Sequence, residues 1–157
     1  MTAGGSSIPA VHALLRVLAS GRDCVELGTA FGEGAAALAE TARSVVTVES
    51  DPDRAAAART RLEGLANVEL LEGDCYTLLR GRGPFGLVFA DGARPYDWER
   101  IIDLVATGGF LVKDDLTPGR PVEGDDVREA LLRDSRLVGI EILTTPETAA
   151  IVAVRRS

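Results

Sequence analysis

The chain has 157 residues, enough for one domain with a full hydrophobic core and too few for two. Acidic residues outnumber basic ones 24 to 17, for a net charge of −7, the opposite of the basic excess that a nucleic-acid-coating surface carries. One histidine and two cysteines, Cys24 and Cys75, exclude four-thiolate and two-histidine zinc sites.

A Ser-His-Asp triad would have to draw on His12, which lies inside an apolar helical pattern. No run of about 18 apolar residues exists, so no membrane span is expected. The N-terminus lacks the basic and apolar regions of a secretory signal. Neither cysteine belongs to a disulfide pattern, so the sequence reads as cytoplasmic. Its wealth of Ala, Gly and Arg fits a GC-rich bacterial coding bias.

Residues 1–7 read as a flexible segment and 8–157 as one domain. In that domain Ile8, Val11, Leu14, Leu15 and Leu18 recur at helical spacing, with Ser7 as the expected N-cap and Gly21 as the stop. Cys24 to Leu27 is a strand entering a glycine-rich turn, and Ala35 to Ala42 a helix. Val45 to Val48 is a β-branched run expected of a buried strand. Asp51-Pro52 opens a helix with an acceptor cap and a proline at its first position, ending before Gly64. Val68 to Leu71 is the third strand, Gly86 to Ala90 the fourth. A helix is expected from Pro95 through Val105, punctuated by Gly108-Gly109, with the fifth strand starting at Phe110 and ending at Asp114-Asp115. A last helix over 125–133 precedes strands at Val138 to Leu143 and Ala149 to Val154, whose short connection predicts an antiparallel hairpin. This alternation predicts an α/β fold: a doubly wound, Rossmann-like, seven-stranded sheet with helices on both faces. Ligands of such sheets bind outside the carboxyl ends of the strands, so function should be read in the turns that follow them.

The first turn reads Glu26-Leu27-Gly28-Thr29-Ala30-Phe31-Gly32-Glu33-Gly34. This is acid-x-Gly-x-x-x-Gly and not the dinucleotide spacing Gly-x-Gly-x-x-Gly. A carboxylate two residues before the glycine would repel a pyrophosphate but suits a ligand carrying an ammonium or sulfonium. The second strand ends at Glu49, followed by Ser50, at the distance expected of an acid that accepts two ribose hydroxyls. Gly73, Asp74 and Cys75 follow the third strand, where an acid can accept an adenine amine. Asp91-Gly92 follows the fourth strand. Acids therefore end or follow each of five successive strands.

In this order and spacing, Glu26-x-Gly28-x-x-x-Gly32, Glu49, Gly73-Asp74 and Asp91 resemble the class I S-adenosylmethionine-dependent methyltransferases, over roughly residues 8–157. Phe-Ala-Asp91-Gly and Gly-Gly-Phe-Leu-Val-Lys-Asp114-Asp115 are most similar to the small-molecule O-methyltransferases of the catechol and caffeoyl-CoA type. The resemblance implies sheet order 3-2-1-4-5-7-6 with strand 7 antiparallel. It also implies Glu26 near the methionine amine, Gly28 to Gly32 under the methionine moiety, Glu49 on the ribose, and Asp74 and Cys75 flanking the adenine. Asp91 would serve catalysis, and Asp91, Asp114 and Asp115 would hold Mg²⁺ or another divalent cation, with Asp115 standing where the relatives carry Asn. On the residues alone, Asp115 could equally cap the turn that follows and Asp114 could be solvated.

Two departures stand out. Arg94 occupies about the position of a lysine that can act as a base in that subfamily, and a guanidinium does not deprotonate. Lys113, one residue before Asp114, is expected to be an ion-pair partner and not a base. The segments that usually cover the substrate are missing, so the site should be open or completed by a second copy in a homo-oligomer. The expected activity is O-methyl transfer from S-adenosylmethionine to a small molecule. The alternatives are an NAD-type oxidoreductase and a non-catalytic adenosyl-binding or assembly module.

Overall fold

The computed structural model describes residues 7–157. The expected flexible segment lies outside them except for Ser7. Helix α1 (Pro9–Ala19) buries Val11, Leu15 and Ala19, one per turn, with Pro9 at its first position. Ile8, not Ser7, occupies the cap position, because the Ser7 hydroxyl instead meets Nε2 of His12 at 2.9 Å. Strand β1 (Asp23–Leu27) leads into α2 (Glu33–Ala39), which starts two residues before the alanine run because Gly32, at φ +87°, forms its cap. The Asn67 amide captures the carbonyls of Ala39 and Ala42 and ends α2 earlier than its composition suggests.

Strand β2 (Ser44–Glu49) is followed by α3 (Pro52–Arg61), whose first-turn N–H groups at Asp53 and Arg54 bond the Asp51 carboxylate, as the sequence predicts. After β3 (Val68–Glu72) comes a short helix that periodicity did not foresee, α4 (Cys75–Leu78), capped by Asp74. Strand β4 (Phe85–Ala90) leads to α5 (Trp98–Asp103), which starts from the Asp97 cap and not from Pro95. Val105 is not on that helix. It begins β5 (Val105–Leu116), which runs straight through Gly108-Gly109. The glycines serve packing here: a Cβ on Gly109 would stand 3.1 Å from the carbonyl oxygens of Phe85 and Gly86 on the neighbouring strand. Helix α6 (Asp126–Arg133), β6 (Leu137–Leu143) and β7 (Ala149–Arg155) complete the chain.

The sheet has seven strands in the order β3-β2-β1-β4-β5-β7-β6. The first five are parallel, and β7 inserts antiparallel between β5 and β6. Alternation along the strands splits the core in two. Cys24, Leu87, Phe89 and Val112 pack under α1, α2 and α3, while Val25, Leu27, Val88 and Leu111 face α4, α5 and α6. On the second face Arg128 of α6 is 1% exposed, its guanidinium shared between Asp125, Glu141 on β6 and the Thr117 carbonyl. The order reverses between β1 and β4, and a crevice opens there at the carboxyl ends of the strands.

Candidate functional site

A crevice of about 590 Å³ lies at this reversal, lined from the ends of β1, β2, β3 and β4. Its floor is a contact between two turns. Gly28, at φ +94°, lies so close to Gly92 that a Cβ would stand 2.7 Å from the Gly92 backbone. Only glycine permits both the backbone sign and the approach. Beside it Ala30 holds the left-handed conformation at φ +47° without being glycine. The cause is Glu49, whose Oε2 accepts the Ala30 N–H at 2.8 Å while Oε1 accepts the Asp51 N–H at 3.0 Å. Glu49 is 6% exposed and lines the crevice. Each of its oxygens keeps a lone pair for a ligand hydroxyl.

Of the residues expected around a cofactor, Gly28, Ala30, Glu49, Ser50, Gly73, Asp74, Cys75, Asp91 and Gly92 line this crevice. Glu26, Thr29, Gly32 and Gly34 do not. Thr29 and Glu26 are buried behind the turn, where the Thr47 hydroxyl donates to Glu26 Oε2 at 2.6 Å and meets the Thr29 hydroxyl at 2.6 Å. Burial pushes the Glu26 carboxyl well above the usual range, and its Oε1 finds no partner. The absent Cβ of Gly34 leaves room for that oxygen, and Gly32 faces Ala58 and Leu62. These four residues support the turn from behind.

The sequence reading did not single out Val48, Arg54, Ala93 and Pro95 as lining residues. The signal for Arg54 was its place in the first turn after Glu49-Ser50-Asp51. Tyr76 closes the far wall. Its hydroxyl accepts the Asp97 N–H at 2.8 Å and lies 3.0 Å from the Ala93 carbonyl, which ties down the loop after β4. Phe31, in the turn after β1, is exposed and not part of the lining. Asp74 caps α4 by accepting the Thr77 N–H at 2.8 Å, and the buried Cys75 thiol is pushed up by desolvation. Arg94 and Pro95 also border a second groove, lined by Tyr96 and Trp98 on one side and by Asp126 and Glu129 of α6 on the other. There the Tyr96 and Trp98 rings stack with centroids 4.7 Å apart, and the Arg94 guanidinium lies 5.5 Å from the Tyr96 ring centre.

Asp91, on the crevice wall, has a second buried acid beside it. Asp91 and Asp114 are close enough to share a hydrogen bond, and burial, then their mutual repulsion, lifts Asp91 to about 7. Asp114 is 3% exposed and is likewise raised, by burial first. Lys113 is as buried, its ammonium 3.8 Å from Asp114 Oδ1 and donating to the Asp114 carbonyl at 2.7 Å. Asp115 departs from this group: it is exposed, at φ +57°. The three expected metal ligands therefore do not converge, and no cluster of three His, Cys, Asp or Glu side chains suited to a metal exists among the described residues. The carboxylate pair fits a divalent ion poorly for a second reason, since an ammonium already sits against it.

No family model matches the chain. Among curated proteins it is 36% identical over 121 residues to a protein-L-isoaspartate O-methyltransferase of Rhodopseudomonas palustris (strain BisB5), a match covering 76% of this chain and 52% of that protein. It is 33% identical over 120 residues to the protein of the same name from Methanoculleus marisnigri, covering 75% and 53%. The chain thus spans about half the length of the curated relatives it matches. Among solved structures, cofactor-bound Rv0187 from MTB superposes with TM-score 0.77 at 28% identity, over 97% of this chain and 83% of that one. The O-methyltransferase from Bacillus cereus in complex with SAH gives TM-score 0.77 at 22% identity, over 98% and 84%. The fold is that of the class I S-adenosylmethionine-dependent methyltransferases, with the strand order expected from the sequence.

Proposed function

We propose that the crevice binds S-adenosylmethionine and that the chain transfers its methyl group to an oxygen of an acceptor entering from the groove beyond Arg94. The observation that carries this reading is the pairing of Glu49 with Ala30 beside the Gly28–Gly92 contact. It joins an acid with free lone pairs to a stretch of backbone that a ligand can approach without meeting a Cβ. A volume of about 590 Å³ suits a cofactor of this size. The bound cofactor supplies an electrophilic methyl on a sulfonium.

Glu49 would hold the ribose, Asp74 and Cys75 the adenine side, and Gly28 and Gly92 the surface on which the cofactor rests. The Asp91–Asp114 edge would place negative charge near the sulfonium and orient the acceptor, so that the gain comes mainly from positioning and charge placement. The residues present suit an acceptor that is already an anion. Arg94 cannot take a proton, whereas a carboxylate acceptor is ionised at neutral pH and needs no base. The curated relatives named for isoaspartyl residues favour this class, in a protein or peptide, over a phenol of the catechol kind.

Calorimetry with SAM, SAH and NAD tests the cofactor, with tight binding of SAH and none of NAD expected. Stabilisation by NAD alone would favour the oxidoreductase and overturn the reading. SAH binding without transfer to isoaspartyl peptides, other carboxylates or phenols would leave an adenosyl-binding module. Methyl transfer to catechol exceeding that to every carboxylate offered would return the acceptor to the phenol class.

A further inference from the structure

Lys113 is the chain's single lysine, and it is 3% exposed. Lysine is among the residues least often buried, because removing an ammonium from water costs several kcal/mol unless partners replace the water. Here the partners are specific. The ammonium donates to the Asp114 carbonyl at 2.7 Å, lies 3.8 Å from Asp114 Oδ1, and sits 5.9 Å from the centre of the Tyr96 ring. Lys113 and Asp114 are consecutive on β5, so their Cβ atoms leave the strand on opposite faces. The long aliphatic arm must fold back around the strand end for the two charges to meet. Asp114 in turn lies against Asp91, which lines the crevice. Asp115, the third acid of the expected ligand set, is exposed.

We propose that Lys113 is the resident cation of this carboxylate edge, a positioning residue whose ammonium supplies the charge compensation that a divalent ion would otherwise provide, so that the site works without a metal. An ion coordinating Asp91 and Asp114 at about 2.0–2.6 Å would face the fixed ammonium a few ångströms away, with Asp115 turned out to solvent. Removing the ammonium should therefore do two things. It should disorder the Asp91–Asp114 edge, and it should open that edge to a metal.

The turnover part of the test rests on the methyltransferase reading, while the metal-binding part does not. Mn²⁺ binding is followed by electron paramagnetic resonance for the intact chain and for its Lys113→Met and Lys113→Arg variants, beside SAH calorimetry and turnover with and without chelator. The wild-type chain is expected to bind no stoichiometric Mn²⁺ at micromolar concentration and to turn over equally in chelator. Lys113→Met is expected to keep SAH affinity within about threefold, lose on the order of 10²-fold in kcat, and gain Mn²⁺ affinity, with Lys113→Arg restoring most of kcat. Stoichiometric Mn²⁺ on the wild-type chain overturns the proposal, as does loss of its turnover in chelator with recovery on Mg²⁺. A folded Lys113→Met variant with unchanged kcat and no new Mn²⁺ affinity also overturns it. If that variant fails to fold, the wild-type Mn²⁺ titration and Lys113→Arg still decide. Absence of SAH binding would defeat the methyltransferase reading and leave the Mn²⁺ result standing.

Discussion

Glu49 holds Ala30 in a left-handed conformation across two adjacent strands, through one hydrogen bond of 2.8 Å from the Ala30 N–H to Oε2. The same carboxylate faces the crevice. One side chain thus shapes the turn and, under the proposed function, would offer the ligand its acceptors. Glu49→Ala is expected to weaken SAH about 10–100-fold, equivalent to roughly 1.4–2.8 kcal/mol. Glu49→Gln, which can still accept the Ala30 N–H, should lose less. Calorimetry on the folded variants measures both.

The Gly28–Gly92 contact leaves no room for a side chain. Gly28→Ala combines a backbone conformation that disfavours Cβ with a 2.7 Å approach to the Gly92 backbone. It should cost about 2–4 kcal/mol of stability. Gly64 shares a positive φ, +84°, but a Cβ there meets nothing within 4 Å. Gly64→Ala should therefore cost only about 1–2 kcal/mol. Urea unfolding of the two variants separates strain from collision.

Glu26 sets a pH dependence. Its carboxyl is raised well above 4.5 by burial, with Thr47 opposing the shift and Asp91 adding to it. The folded chain therefore keeps a proton that the unfolded chain releases, and stability should fall as pH rises above the unfolded value toward the folded one. Glu26→Gln keeps an acceptor for the Thr47 hydroxyl and removes the titration. Its urea midpoint should decline less than that of the wild-type chain across roughly pH 5–8. Parallel curves would show that Glu26 is not the source.

Arg94 borders both cavities and makes no ion pair among the described residues. Arg94→Gln should raise KM for a carboxylate acceptor by about tenfold or more, with little change in SAH affinity. Equal effects on a neutral and an anionic acceptor would remove Arg94 from acceptor recognition. Steady-state kinetics with the two acceptor types decide.

Much of the fold was legible because strand ends and caps are local signals. Asp51-Pro52 opens α3 as written, and the β-branched run at 45–48 lies within β2 as written. The misses came from tertiary contacts. Gly108-Gly109 looked like punctuation, yet Gly109 is a strand residue whose missing side chain lets β5 lie against the carbonyls of Phe85 and Gly86. Asn67 ends α2 from 28 residues away, which no window of helical spacing can register.

The site divides in the same way. Glu49 and Asp74 were readable from position alone. Spacing could not say that Glu26 is sealed behind its own turn, because that depends on Thr47 and Gly34 closing over it. Nor could it say that Asp115 faces outward while Lys113 folds back toward Asp114, since both follow from the local backbone at the end of β5.

The insertion of β7 between β5 and β6 has a consequence for the order of assembly. β6 is synthesised first, yet its sole neighbour in the sheet is β7. Until Ala149–Arg155 has emerged, β6 has nothing to pair with and β5 keeps one bare edge, facing solvent beside the Asp114 wall of the site. A growing chain can form β1, β2 and β3 early, but β6 joins the sheet only through β7, which is made after it. Under the proposed function, cofactor affinity should thus serve as a late marker of folding, acquired once the β6–β7 hairpin has docked against β5.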